Sequence, residues 1–378
     1  MNFDFNEEQY AFRDSVRTFL ADTSSRVAIP AASRATIDRE RWSGLAELGL
    51  FSILVPEQYG GLGLNFVDLC LALEELGGSL VSPLLLDTLV ATDLIVNYGS
   101  EEQRSRMLPG MARGTTSVAV AMNEPNGGYE LSDMSSIVEP PRTAAKSLLS
   151  GTKILVADAD AADFLLFAAR PAGAPNPCLS IIDTGRTGMK LREHQTLDLG
   201  SRYCQIDAMG VEVSDTDMVG QSSSAPLERL FDSSAFTAAI MMMGIAVKVL
   251  DSTIEYVKHR NQFGRAIGSF QAIKHRCADM AVAVDFGRSA AYYAAWSVAN
   301  DALDRSKAVS IAKSFCADAC RMVCNESTQL HGGMGFTWDL GLHFYLRRAK
   351  VLECSYGDST FHRRRVLCAS LSELGIRR

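Results

Sequence analysis

A chain of 378 residues in which 47% are hydrophobic can bury a sizeable core, and its length implies two or three domains. The net charge of −7 is spread along the chain without a basic block, which excludes nucleic acid and anionic membrane surfaces as partners. The opening MNFDFNEEQYAFRD lacks the basic-then-apolar order of a secretory leader, and no apolar run reaches the length of a membrane span, so the expected address is cytoplasmic.

From Glu7 to about Gly114 apolar residues recur at helical spacing, as in Val67, Leu69, Leu71, Leu73 and Leu76, with breaks at turn-rich stretches such as Pro56 to Gly63. Residues 1–114 therefore read as an all-helical N-terminal domain. Between Thr115 and Gly220 the texture changes to short apolar runs, Ser117 to Ala121, Lys153 to Val156, Phe164 to Ala169 and Leu179 to Asp183, separated by Gly, Pro, Asn and Asp. That pattern predicts a small antiparallel β domain over 115–220. After the polar linker Gln221 to Ser224, helical patterns return from Leu227 to the end and define a third domain over 226–378, in which Gly332 and Gly333 close the helix that starts near Ser306. Nine cysteines at irregular spacing, with no CxxC pair, read as buried thiols of a reducing compartment. Cys316, Cys320 and Cys324 share one helical stripe; they read as small apolar packing groups rather than a metal set, because the nearest histidine, His331, is placed past the helix end.

Several local motifs narrow this helix, sheet, helix order. Trp42 to Leu64, WSGLAELGLFSILVPEQYGGLGL, resembles the W-x-x-L-A-x-L-G-L…V-P-E-x-Y-G-G-L-G segment of acyl-CoA dehydrogenases. Arg260 to Gln271, RNQFGRAIGSFQ, is similar to that family's R-x-x-F-G-x-x-I-x-x-x-Q, and Gln329 to Phe336, QLHGGMGF, to its Q-x-x-G-G-x-G-F. The resemblance implies an α+β fold with an N-terminal helical domain, a middle antiparallel β-barrel domain and a C-terminal four-helix bundle, together with an FAD shared between subunits.

Residue chemistry agrees with a cofactor role for the C-terminal motifs. Arg260 is a permanent planar cation suited to a pyrophosphate, and Gly332 and Gly333 let backbone N–H groups approach phosphate or ribose oxygens. By resemblance, Arg260, Phe263, Gln271, Gln329, Gly332 and Gly333 line the adenine and pyrophosphate half of an FAD held mainly by a neighbouring chain. The flavin-ring half differs. Where the family has a segment like T-E-P-x-A-G-S-D, this chain has Asn123 to Glu130, NEPNGGYE, in which Asn123 replaces the threonine and Tyr129 the serine. A second segment, resembling W-I-T-N-G, is Leu155 to Ala159, LVADA; Leu155 loses the aromatic face and Ala157 the hydroxyl.

The family's terminal signature resembles R-D-A-K-I-x-x-I-Y-E-G-T-S, whose glutamate is the catalytic base. Aligned from Arg347 through Ala349, Lys350 and Gly357, this chain puts Tyr356 at the glutamate. A phenol, with an ordinary pKa of about 10, is a poor base for a carbon-bound proton. Some members carry the base on the first helix of the bundle instead. By the spacing to Gly244 that position is Ser234, followed by Ala235 where arginine is usual. The chain thus resembles the base-lacking subunit of α2β2 heterotetramers of bacterial sterol and steroid degradation. That implies a partner subunit carrying the catalytic glutamate, a bulky steroid-derived acyl-CoA and an electron acceptor, commonly a flavoprotein. Two other readings stay open: a self-sufficient homotetramer using Asp358 or Glu353 as base, and a flavin-free scaffold. Asp358, in SYGDST, reads more simply as a helix cap and Glu353 as an ion-pair member, while the retained phosphate-binding set weighs against a scaffold.

Overall fold

The structure, a computed structural model, describes residues 4–24, 38–140, 146–174, 176–220 and 224–376. Helices α1 (Glu7–Ser24), α2 (Arg39–Glu47), α3 (Phe66–Gly78), α4 (Pro83–Tyr98) and α5 (Glu101–Ala112) come first. Strands β1 (Val118–Ala121), β2 (Ile137–Glu139), β3 (Ser147–Ala157), β4 (Phe164–Pro171), β5 (Cys178–Asp183), β6 (Met189–His194), β7 (Tyr203–Val213) and β8 (Met218–Val219) follow. The C-terminal third holds α6 (Ala225–His259), the hairpin β9 (Asn261–Gln262) and β10 (Arg265–Ala266), α7 (Gln271–Ala299), α8 (Arg305–His331), α9 (Leu342–Cys354) and α10 (Ser359–Glu373). Most of the linker Gln221 to Ser224 lies outside the described residues.

The chain forms two compact units that interleave in sequence. One comprises Met1–Ser24, Phe66–Val81 and Ala235–Arg378; the other comprises Ser25–Asn65 and Ser82–Ser234.

In the second unit, local signals set the helix starts. Ser82 accepts a bond from Leu84 N at 3.1 Å with Pro83 in the first turn of α4, and Ser100 and Gln103 form a capping box at α5. The sheet has the order β6-β7-β3-β2-β4-β5-β8, with β1 paired to β4. Its buried face carries Leu149, Val156, Leu165, Phe167, Ile182, Ile206 and Val211, against which Leu84 and Trp42 pack. Trp42 also donates to Gly114 O at 2.7 Å, which explains the tryptophan of the first motif as a packing residue. The antiparallel pairing expected of this domain holds for β2–β3, β3–β7, β4–β5, β5–β8 and β6–β7, while β1 and β2 both run parallel to β4. Parallel pairing needs a long connection, here the whole stretch through β3, and run spacing carries no direction.

In the first unit, α1 is tied to α3 by Gln9 Nε2 donating to Asp68 at 2.8 Å and by Arg17 with Glu75 at 2.6 Å. Helices α3 and α6 approach closely. A Cβ on Gly244 would lie 1.8 Å from Glu74 O, so the crossing tolerates no side chain there. Glu74 receives a bidentate Arg288 and the Tyr292 hydroxyl at 2.9 Å, which joins α7 to α3. The helices of the C-terminal third pack as a bundle in which α8 touches α7, α9 and α10. Cys316 and Cys320 are fully buried and Cys324 is 2% exposed, as packing groups should be, although His331 is the last residue of α8 rather than beyond it. Contrary to the sequence expectation, α6 is long and apolar enough to span a bilayer, but its apolar window is 89% buried and serves as core.

Candidate functional site

The C-terminal ends of α6 and α8 are held side by side. The Tyr256 and His331 rings stack at 4.2 Å between centroids, Tyr256 Oη donates to His331 O at 3.4 Å, and the Thr253 and Ser327 hydroxyls bond at 2.6 Å. Burial lowers the His331 pKa, so the ring stays a neutral spacer. This brings two of the sequence motifs to one end of the helix pair. Arg260 follows α6 directly; its N–H donates to Tyr256 O at 2.9 Å and its carbonyl accepts from Ile267 N at 2.8 Å, which closes the β9–β10 hairpin. Its side chain is exposed and, among the described residues, has no carboxylate partner. Phe263, 91% exposed with φ +53°, projects from that hairpin, and Gln271 opens α7 in an exposed position.

At the end of α8, Gln329 is exposed and its carbonyl accepts the Gly332 N–H. Gly332 has φ +58° and ψ −137°, a conformation that side chains rarely adopt, while a Cβ on either Gly332 or Gly333 would meet nothing within 4 Å. The backbone is therefore open to a ligand. The exposed guanidinium and the bare backbone fit the pyrophosphate and adenosine half of FAD. Sequence reasoning missed Tyr256 and His331, whose stacked pairing joins distant positions and leaves no local pattern.

The two ring-facing segments meet through Ile154 N donating to Asn123 O at 2.9 Å. Beneath them lies a buried ion pair that sequence reasoning overlooked inside an apolar run. Lys153 Nζ donates to Glu124 Oε1 at 2.8 Å and to Met122 O at 3.2 Å; Glu124 also accepts from Ser135 N at 2.6 Å, Ser135 Oγ at 2.5 Å and Ser136 N at 2.9 Å. Burial alone would raise the Glu124 pKa, but Lys153 and the serine bonds outweigh it and hold the carboxyl at about 2. Burial pushes Lys153 down to about 8, against the pull of Glu124, and the pair remains charged at neutral pH. The segments are thus firmly built but differently furnished. Leu155 sits in a β-bulge with φ +54° and is 48% exposed, and Ala157 is buried. The recess lined by Asn123, Tyr129, Met134 and Phe231 holds only about 30 Å³, near the volume of a single water. On the second segment Leu155 and Ala157 supply neither the aromatic face nor the hydroxyl that the resemblance expects toward an isoalloxazine ring, so these two positions do not fit it.

The turn between α9 and α10 carries Tyr356, half-buried with φ +54°. Its backbone is clamped from below. His362 Nε2 lies 2.9 Å from Tyr356 O, and buried Lys313 donates to Glu353 O at 2.9 Å and Gly357 O at 2.8 Å. Burial lowers Lys313 to about 8 and His362 to about 3. Asp358 caps α10, accepting from Phe361 N at 2.8 Å, and Glu353 pairs with Arg321 and with Lys350 at 2.9 Å. Ser234 is 1% exposed within α6, next to buried Ala235. Neither Tyr356 nor Ser234, the residues that the resemblance sets at the two usual base positions, is a carboxylate.

Residues 6–115 match the acyl-CoA dehydrogenase N-terminal domain and residues 225–371 the acyl-CoA dehydrogenase C-terminal domain. An acyl-CoA dehydrogenase of Bacillus subtilis (strain 168) is 30% identical over 372 residues, covering 94% of this chain and 96% of the relative. Among solved structures, a Tcur3481-Tcur3483 steroid ACAD superposes with TM-score 0.88 at 28% identity, covering 98% of this chain and 99% of that one. The ChsE4-ChsE5 complex from Mycobacterium tuberculosis superposes with TM-score 0.88 at 26% identity, covering 99% of each chain. The chain belongs to the acyl-CoA dehydrogenase family, flavoprotein oxidoreductases whose cofactor is FAD.

Proposed function

We propose that this chain is the base-lacking subunit of a heteromeric, α2β2 acyl-CoA dehydrogenase of the cytoplasm, in which a partner subunit carries the catalytic glutamate. The observation that carries this reading is the split condition of the site. Arg260, Phe263, Gln271, Gln329, Gly332 and Gly333 are all exposed at the ends of α6 and α8 and the start of α7, where they can serve a cofactor held by another polypeptide. Tyr356, Ser234, Leu155 and Ala157, in contrast, leave this chain without a base and without a ring-binding surface of its own. The paired names of the Tcur3481-Tcur3483 steroid ACAD and the ChsE4-ChsE5 complex support a heteromeric reading, and the first of them supports a bulky, steroid-derived acyl-CoA.

In that assembly Arg260 neutralises pyrophosphate charge, and the Gly332–Gly333 backbone and Gln329 hold the adenosine end. When bound there, FAD would supply the hydride acceptor. The partner's glutamate would take the α proton, the α C–H pair would become the π bond of an enoyl-CoA, the β C–H pair would leave with the hydride, and those two electrons would pass on to a flavoprotein acceptor. The self-sufficient alternative finds its candidates engaged, since Asp358 caps a helix and Glu353 is doubly ion-paired.

Flavin stoichiometry tests the reading. Expressed alone, the chain is expected to purify nearly colourless and inactive; co-expressed with its partner it should carry about one FAD per heterodimer, half the loading of one per chain expected where every subunit holds its own cofactor. A yellow, active homotetramer would overturn the proposal.

A further inference from the structure

The last turns of α6, the β9–β10 hairpin and the first turns of α7 enclose an open groove of about 560 Å³. Ile254, Val257, Ala266, Ile273, Cys277 and Ala278 supply its apolar wall, and Lys258 and Lys274 supply charge; no carboxylate lines it. Lys258 is paired with Glu255 at 2.6 Å, whereas Lys274 has no carboxylate partner among the described residues. Of the other cations on these elements, Arg265 stacks on the Phe270 ring at 4.1 Å and Arg276 pairs with Glu326 at 3.0 Å, while Arg260 is the pyrophosphate candidate described above. An apolar hollow of this size, bordered by an unpaired cation, is the kind of surface that gains by being covered.

We propose that this groove receives an apolar side chain, flanked by carboxylates, from the glutamate-bearing partner subunit. The inference rests on the heteromeric reading above. Continuity argues for this occupant. The hairpin that walls the groove also carries exposed Phe263, it follows Arg260, and α7 begins with Gln271. A partner whose FAD reaches those residues necessarily brings its own surface against the same hairpin. Charge argues for the flanking acids, because Lys274 would repel a basic segment and leave its own charge unpaired against a neutral one. An apolar anchor seated in a pocket at the middle of an interface is also where binding energy concentrates.

Cys277 makes the groove measurable. It is half-buried, and the chain's exposed thiols among the described residues are Cys354 and Cys368. With those two replaced by serine, the rate at which a maleimide modifies the folded chain reports Cys277. Each glutamate-bearing acyl-CoA dehydrogenase subunit of the source genome is co-expressed in turn with this variant. In the assembled heteromer Cys277 should react at least about tenfold more slowly than in the chain alone, and Ala278→Arg or Lys274→Glu should weaken assembly about tenfold or more. Both substituted positions are exposed, so the melting temperature of the lone chain should stay within about 2 °C of its parent. An intact heteromer whose Cys277 reacts at the free-chain rate overturns the groove assignment and leaves the proposed function standing. Failure of every subunit to assemble overturns both. Protection of Cys277 by self-association of the lone chain, or by added palmitate where the partner gives none, assigns the groove to a second copy or to a fatty acid and overturns the proposal.

Discussion

Arg260 stands exposed where α6 ends, and its guanidinium is unclaimed by any carboxylate among the described residues. A charge-assisted contact to a partly buried pyrophosphate is typically worth about 1.5–3 kcal/mol, so Arg260→Ala should weaken FAD retention in the heteromer by roughly ten- to a hundredfold. Fluorescence titration of the stripped complex with FAD measures it, and unchanged affinity would make Arg260 a mere surface residue. Tyr356 is the opposite case, a residue whose backbone is held by Lys313 and His362 and whose side chain falls where the resemblance would set the catalytic carboxylate. Tyr356→Phe should leave the heteromer's rate within about twofold, whereas loss of a working acid–base group costs about a hundredfold or more. Tyr356→Glu should not create a second active site, because Leu155 and Ala157 still offer nothing to a flavin ring. Steady-state rates and FAD content on both variants decide the matter; a gain with glutamate and doubled FAD would place this half of the assembly inside the chemistry.

Among the elements, the start of α10 separates the two roles open to Asp358. Its carboxylate accepts from Phe361 N, a bond that asparagine can replace and alanine cannot. Asp358→Ala should therefore destabilise the chain by about 1 kcal/mol, with Asp358→Asn close to wild type, and neither should lower the heteromer's rate. Denaturant melts read the first effect and steady-state assays the second; a rate collapse with asparagine would mean that the cap is a relocated base. The cap itself is legible in SYGDST, as is the close of α8 at Gly332, because both are local and depend on one side chain or one φ angle. The directions of β1 and β2 are not legible, since run length and composition are the same for either sense. Nor are Lys153 and Lys313, whose partners are a distant carboxylate and distant carbonyls. Within the site, motif residues that face outward are readable one by one; the clamp below Tyr356 and the stack of Tyr256 on His331 arise only when helices far apart in sequence come together.

For the whole molecule, helical periodicity says that a face is buried but not against what. The chain divides so that α1 and α3 belong with the C-terminal helices while α2, α4 and α5 belong with the sheet, a partition that no local pattern announces. The cysteines fall across that partition in a useful way. Cys178 and Cys204 are buried in the unit that holds the sheet, and Cys70, Cys316, Cys320 and Cys324 in the unit that holds the bundle. Burial pushes Cys178 up to about 11 and Cys316 to about 12, so these thiols stay protonated and unreactive while the chain is closed. They form a natural clock for local opening. If the units open separately, thiol release in mild denaturant should come in two steps that mass spectrometry assigns to Cys178 and Cys204 in one and to the four bundle cysteines in the other; a single step would show that the chain opens as one cooperative body.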